Sequence, residues 1–114
     1  MFGEHPYLST QREIGSSSWF GFALILKENS PISRQRLVQA LAKEKIECRP
    51  IVTGNFLKNH EVLRHFDYKT EGTFESSERI DSHGFFVGNQ QIDLTEEIKF
   101  LHSVISKTMV ARSR

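Results

Sequence analysis

The chain opens with a mixed, polar stretch, residues 1–15, punctuated by Gly3, Pro6 and Gly15, which predicts an irregular lead-in closed by Ser16-Ser17-Ser18. The pattern then changes abruptly. W-F-G-F-A-L-I-L, residues 19–26, is an unbroken aromatic and aliphatic run, as expected of a strand buried on both faces. Gly21 in its middle suggests a bulge or a close backbone approach. After K-E-N-S-P-I-S, apolar positions recur at helical spacing: Leu37, Val38, Leu41 and Ala42 form a stripe, with Ser33 as N-cap of a helix running to about Lys45.

I-E-C-R-P-I-V returns to alternation and predicts a second strand. Pro50 lacks a backbone donor, which places that strand at an edge or makes it irregular. T-G-N breaks it. A short helix is expected from His60 to Phe66, capped by Asn59, followed by a loop over residues 67–74. A further helix starts at Ser76 or Ser77 and ends at Gly84, and F-F-V-G, residues 85–88, reads as a third strand. Thr95 is the expected cap of a last helix, with Glu96 and Glu97 at its positive end and Leu94, Ile98, Leu101, Ile105 and Met109 as its buried face. The tail A-R-S-R is expected to fray. The predicted fold is a two-layer α+β domain, a short three-stranded sheet with helices packed on one face. Its body spans residues 16–109, between the lead-in of 1–15 and the tail of 110–114.

Composition narrows this picture by exclusion. The 114 residues suffice for one modest core, and 38% hydrophobic with 25% charged residues is the balance of an ordered soluble fold. Fifteen basic against 14 acidic residues leave a net charge of +1, without the basic excess that phosphate-backbone binding requires. The single cysteine, Cys48, allows neither an internal disulfide nor a C-x-x-C zinc pair, and fits a reducing, cytoplasmic setting. The first ten residues lack the pattern of a secretory leader, and the apolar run at 19–26 is far too short to span a membrane.

Few side chains stand out as chemistry. Arg49 lies in a β-like segment just before Pro50, where a guanidinium can offer a two-pronged fork to a carboxylate or phosphate. Spacing alone equally fits an arginine that lays its stem on the sheet. Gly54-Asn55 and Gly88-Asn89 each follow a strand and could line one side of a cleft, though ordinary turns explain both. His60 and His65 are five apart rather than four, so they make no helical metal pair; His83 precedes G-F-F-V-G-N and could reach a site. Cys48 neighbours Arg49 in sequence, but successive residues on a strand point to opposite faces, which favours an inert thiol. The aromatic segments F-V-G-N and W-F-G-F-A-L loosely echo RNA-recognition strands, but their order is reversed and the required basic residue is missing.

Three segments together resemble a known family. S-S-W-F-G-F-A-L-I-L, I-E-C-R-P-I-V-T-G-N-F-L-K-N and G-F-F-V-G-N-Q, with the closing L-T-E-E-I-K-F-L-H-S-V-I, are similar to the C-terminal region of the sugar aminotransferase/dehydratase family, a branch of the aspartate aminotransferase fold. The likeness covers about residues 16–106. T-G-N-F stands where the aminotransferases of that family carry a Pro-Leu-His element, which tilts the resemblance toward the 3-dehydratase branch.

Several things follow from the resemblance alone. It implies a parent enzyme that uses pyridoxal or pyridoxamine phosphate (PLP/PMP) to remove the C3 hydroxyl of a GDP- or CDP-linked 4-keto-6-deoxyhexose, in deoxysugar and O-antigen synthesis, with aminotransfer to a nucleotide sugar as the alternative. The base, the phosphate cradle and the acid partner of the cofactor belong to the family's large domain. None of Lys27, Lys43, Lys45 and Lys58 sits in a context resembling the cofactor lysine. The chain by itself is therefore expected to be inert, with no cofactor of its own, or to act as a non-catalytic interaction module. Within the parent, Arg49, Gly54, Asn55, Trp19, Phe20 and Asn89 are the expected substrate-binding contributors. Arg49 is expected to hold the carboxylate of glutamate, the amino-group donor. The implied partners are the nucleotide sugar, glutamate and the large domain, in a homodimer, with neither nucleic acid nor membrane.

Overall fold

The computed structural model describes residues 1–111. Four strands form one antiparallel sheet in the order β1-β2-β4-β3: β1 is Leu8–Thr10, β2 Gly21–Leu26, β3 Cys48–Arg49 and β4 Gly84–Gly88. Helices α1 (Arg34–Lys43), α2 (His60–Leu63), α3 (Glu75–His83) and α4 (Thr95–Val110) complete the chain, with a 3-10 turn at Phe56–Lys58 before α2. The sheet thus has four strands, not the three expected. The extra one comes from inside the expected lead-in: Leu8 pairs with Leu26 and Thr10 with Leu24. Phe2 and His5, from the same stretch, are buried beside it.

The registers decide which side chains share a face. Phe22, Leu24 and Leu26 of β2 lie with Phe85 and Val87 of β4 and Cys48 of β3, because Leu24 pairs with Phe85 and Phe22 with Val87, which in turn pairs with Cys48. That face packs on α1 and α4. Leu37 and Leu41 of α1 and Leu101, Val104, Ile105 and Met109 of α4 form one core with Leu8, Leu24, Leu26 and Phe85. Burying such side chains contributes about 1.5–3 kcal/mol each.

The opposite face carries Gly21, Ala23, Ile25, Gly84, Phe86, Gly88 and Arg49, and no helix core covers it. The expectation that β2 is buried on both faces is corrected accordingly: Leu24 and Leu26 are sealed, and Gly21, Ala23 and Ile25 are half-buried. Gly21 marks no bulge, since its pairing with Gly88 is regular; a Cβ there would run into the Phe86 ring. The strand expected over residues 46–52 is present at the sheet edge as β3 but is cut to Cys48–Arg49, with Pro50, which lacks a backbone donor, just past its end.

Local signals explain the helix ends. Ser33 caps α1 by accepting from the Arg36 amide. The helix closes in a Schellman turn, with Ile46 N–H donating to Leu41 O and Lys45 N–H to Ala42 O, which forces Lys45 to φ 61°. Asn59 caps α2, as expected, though α2 stops at Leu63 rather than Phe66. Gly84 ends α3 in extended geometry and begins β4 directly. Thr95 is not the cap of α4. Leu94 holds that position, and the Asp93 carboxylate takes both the amide and the hydroxyl of Thr95. Ile98 is exposed, and Val104 takes its place in the buried stripe. Of the expected tail, Val110 ends α4 and residues 112–114 lie outside the described residues.

Candidate functional site

Arg49 projects from the half-covered face, across from Phe86 and opposite in direction to Cys48. Its guanidinium holds the Glu47 carboxylate, with Nε at 2.9 Å and Nη2 at 2.7 Å from Oε1. Two-residue spacing on extended chain puts both side chains on one face. The fork is solvent-accessible, with 67% of the Arg49 side chain exposed. Cys48, on the core side, has its thiol pushed up to about 11 by burial and then by the Glu47 charge, so it is a poor nucleophile.

Gly54 and Asn55 follow in the turn after β3. Gly54 adopts φ 55°, and a Cβ at this position would collide with the Asp81 carboxylate. Asn55 is buried, and its side chain is engaged within the chain: Oδ1 accepts from the Leu57 amide at 3.1 Å and Nδ2 donates to Glu78 Oε2 at 3.3 Å. What this turn presents outward is backbone together with the exposed Val52 and Thr53.

At the other end of β4, Asn89 donates from Nδ2 to the Trp19 carbonyl at 2.6 Å. Trp19 stacks on Phe22 with ring centroids 6.1 Å apart. Phe20 is 85% exposed and leans on Phe86 at 5.9 Å. The expected site residues therefore fall into two groups at opposite ends of the sheet: Trp19, Phe20 and Asn89 beyond Gly88, and Gly54 with Asn55 beyond Gly84. Arg49 and Phe86 lie between them. Beside the first group runs an apolar groove of about 600 Å³, lined by Trp19, Phe22, Ile46, Val87, Ile98 and Phe100.

Sequence reasoning missed Glu47, Phe86 and the charged set Lys58, Glu78 and Asp81. Lys58 Nζ lies 2.7 Å from Glu78 Oε1 and 2.8 Å from Asp81 Oδ2. Hydrogen bonds from Lys58 hold both carboxyls below their ordinary range, and the same bonds raise Lys58. Glu47 was legible as an acid two residues from Arg49. The Lys58 set was not, because its members are 20 and 23 residues apart. Among the described residues, His83 pairs with the neighbouring Ser82 hydroxyl. No His, Cys, Asp or Glu group among the described residues could hold a metal.

The candidate site residues offer PLP no amine to link to: none of Trp19, Phe20, Arg49, Gly54, Asn55 and Asn89 is a lysine, while Lys27 is engaged by the His5 carbonyl, Lys58 by two carboxylates and Lys99 by Glu96. What the site does fit is a carboxylate, since Arg49 already grips one. Among the described residues no helix is long and apolar enough to cross a membrane.

No family model matches the chain. It is 61% identical over 107 residues to the GDP-4-keto-6-deoxy-D-mannose 3-dehydratase of Yersinia pseudotuberculosis, covering 94% of this chain and 27% of that protein. The enzyme of the same name from Escherichia coli O55:H7 is 52% identical over 104 residues, covering 91% and 27%. The lipopolysaccharide biosynthesis protein RfbH of Salmonella typhimurium is 31% identical over 91 residues, 80% of this chain and 21% of that one. The solved E. coli GDP-4-keto-6-deoxy-D-mannose 3-dehydratase with bound hydrated PLP superposes with a TM-score of 0.87 at 52% identity, over 91% of this chain and 27% of that chain. Two further structures of such an enzyme, one with bound GDP-perosamine and one with a trapped PLP-glutamate geminal diamine, match equally well. The chain spans about a quarter of the length of these relatives. The resemblance carried by W-F-G-F, R-P-I-V-T-G-N and F-V-G-N thus holds: in sequence and in fold, this chain is the counterpart of about a quarter of a GDP-4-keto-6-deoxy-D-mannose 3-dehydratase.

Proposed function

We propose that the chain is the C-terminal small domain of a PLP/PMP-dependent 3-dehydratase acting on a GDP-linked 4-keto-6-deoxyhexose. The observation that carries this reading is the 61% identity over 94% of the chain, joined to a TM-score of 0.87 at 52% identity. The domain is residues 16–109, to which we add Phe2 to Thr10 because they share its core and sheet. The cofactor, held by the rest of the enzyme, supplies the electron sink for loss of the C3 hydroxyl.

The work of this chain is binding and positioning. Arg49 receives the carboxylate of glutamate, exchanging its contact with Glu47 for one with the amino-group donor. Phe20 and Phe86 give the half-covered sheet face an apolar surface beside that arginine. Asn89 fixes Trp19 at the rim through the Trp19 carbonyl. The parent is a homodimer acting in the cytoplasm, where the lone thiol of Cys48 stays reduced.

The test is an exchange. The matching quarter of the E. coli enzyme is replaced by this chain, and the chimera is given GDP-4-keto-6-deoxymannose, PLP and glutamate. A 3-deoxygenated product is expected, and none from the isolated chain. A folded chimera without turnover would sink the reading.

A further inference from the structure

The turn after β3 holds one residue in a conformation it disfavours. Val52 sits at φ 36°, a region hostile to β-branched side chains, while Gly54 adopts φ 55° freely. Such geometry persists only where the surroundings over-determine it. Apolar packing does not do so here, because the Val52 side chain is 82% exposed.

The Gly54 N–H closes the turn on the Ile51 carbonyl at 2.7 Å, and one face of α3 holds the turn's exit at Asn55. Glu78 and Asp81, three residues apart, stand side by side on the helix. Asp81 Oδ1 accepts the Asn55 amide at 3.3 Å, and Glu78 Oε2 accepts the Asn55 side-chain amide at 3.3 Å. Lys58 closes the ring by bonding the other oxygen of each carboxylate. Arg34 anchors the base of the assembly through the carbonyls of Asp81 and Gly84. The ring is half-exposed, with Lys58 at 52%, Glu78 at 50% and Asp81 at 29%. Ion pairs so exposed add little to stability. What the ring does hold is Asn55, by its backbone amide and its side chain, at the end of the turn that follows the Arg49 strand.

We propose that Lys58, Glu78 and Asp81 are positioning residues, a carboxylate–ammonium clamp that presents the 52–55 turn to the nucleotide sugar. This rests on the 3-dehydratase reading above and on its expectation that Gly54 and Asn55 meet the substrate. Lys58 has no substrate contact in this scheme; it acts by keeping two carboxylates together on Asn55.

The test uses the chimera described above. Lys58→Met is expected to raise KM for the nucleotide sugar about fivefold, the scale of one polar contact, with kcat within about twofold. KM for glutamate should not move, because Arg49 lies outside the ring. Lys58→Arg should restore most of the loss. Arg64→Met removes a more exposed ion pair remote from Asn55, Arg64–Glu61, and should change neither constant. Amide hydrogen exchange at Asn55, followed in the same variants, should rise in Lys58→Met and Asp81→Asn only. Unchanged KM and unchanged exchange in Lys58→Met overturn the clamp while leaving the dehydratase reading intact. A rise in both KM values together with a fall in kcat also overturns it, as general loosening. A wild-type chimera that folds but does not turn over defeats the dehydratase reading and this proposal with it.

Discussion

Arg49 and Glu47 form an ion pair between two residues of one extended segment, with two guanidinium nitrogens on a single carboxylate oxygen. Both side chains are largely exposed, at 67% and 76%, so the pair adds little to stability. Its meaning is that the site comes with its own competing anion. Arg49→Ala in the chimera is expected to raise KM for glutamate about tenfold or more and to leave the unfolding midpoint nearly unchanged. Glu47→Gln should act in the opposite direction, lowering KM for glutamate by removing the competitor. Steady-state kinetics at varied glutamate decide both; wild-type constants in Arg49→Ala would remove it from the site.

Lys45 closes a Schellman turn that glycine would close with less strain. Lys45→Gly is expected to stabilise the fold by about 0.5–1 kcal/mol, because the left-handed conformation costs a side-chain-bearing residue about 1–2 kcal/mol and the greater unfolded-state freedom of glycine offsets part of that. Urea unfolding of the isolated chain gives the measurement; a loss of stability would mean the lysine side chain has a role the turn geometry does not show.

Phe85 and Phe86 are adjacent and face opposite ways. Phe85 is 1% exposed in the core, and Phe85→Ala should cost about 3–5 kcal/mol, enough to unfold much of a domain this size. Phe86 lies on the half-covered face over Gly21, and its truncation should cost clearly less, while perturbing substrate binding in the chimera. Equal destabilisation by the two would contradict the one-sided core.

His5 is buried, and its imidazolium is disfavoured first by desolvation and then by the facing charges of His102 and Lys27. The folded chain therefore binds its proton later than the unfolded chain. The stability this confers is present above the ordinary histidine value of 6.5 and is lost as pH falls from there toward the depressed value. The urea midpoint should drop through that window, and His5→Gln should flatten the drop. Further loss at lower pH, when Glu78, Asp81 and Asp93 take up protons, should survive the substitution.

What the sequence made legible follows its local signals. Ser33 and Asn59 as caps, Pro50 at an edge and the apolar stripe of α4 are one-dimensional features, and each appears in the fold. Strand β1 was invisible because three residues with one buried leucine make no period; pairing to Leu24–Leu26 creates it. The continuous run in β2 was misread for a related reason. Apolar residues on both faces of a strand show that both faces can be covered, not which cover this chain supplies. Arg49, opposite in direction to Cys48, followed from strand alternation. The Lys58 ring and the engagement of Asn55 did not, since they depend on α3 folding back onto the turn.

The pairing of Leu8–Thr10 with β2 also bears on how this piece of protein can be handled. That strand occupies one edge of F-A-L-I-L, and Lys27 N–H on the Tyr7 carbonyl extends the seal. A version trimmed to begin at Ser16 would leave the edge of Leu24 to Leu26 unpaired, a row of free donors and acceptors on the most apolar strand in the molecule. Such a trimmed protein is a template for strand addition by its own copies, so a stretch with no proposed part in the chemistry guards the open edge of the sheet.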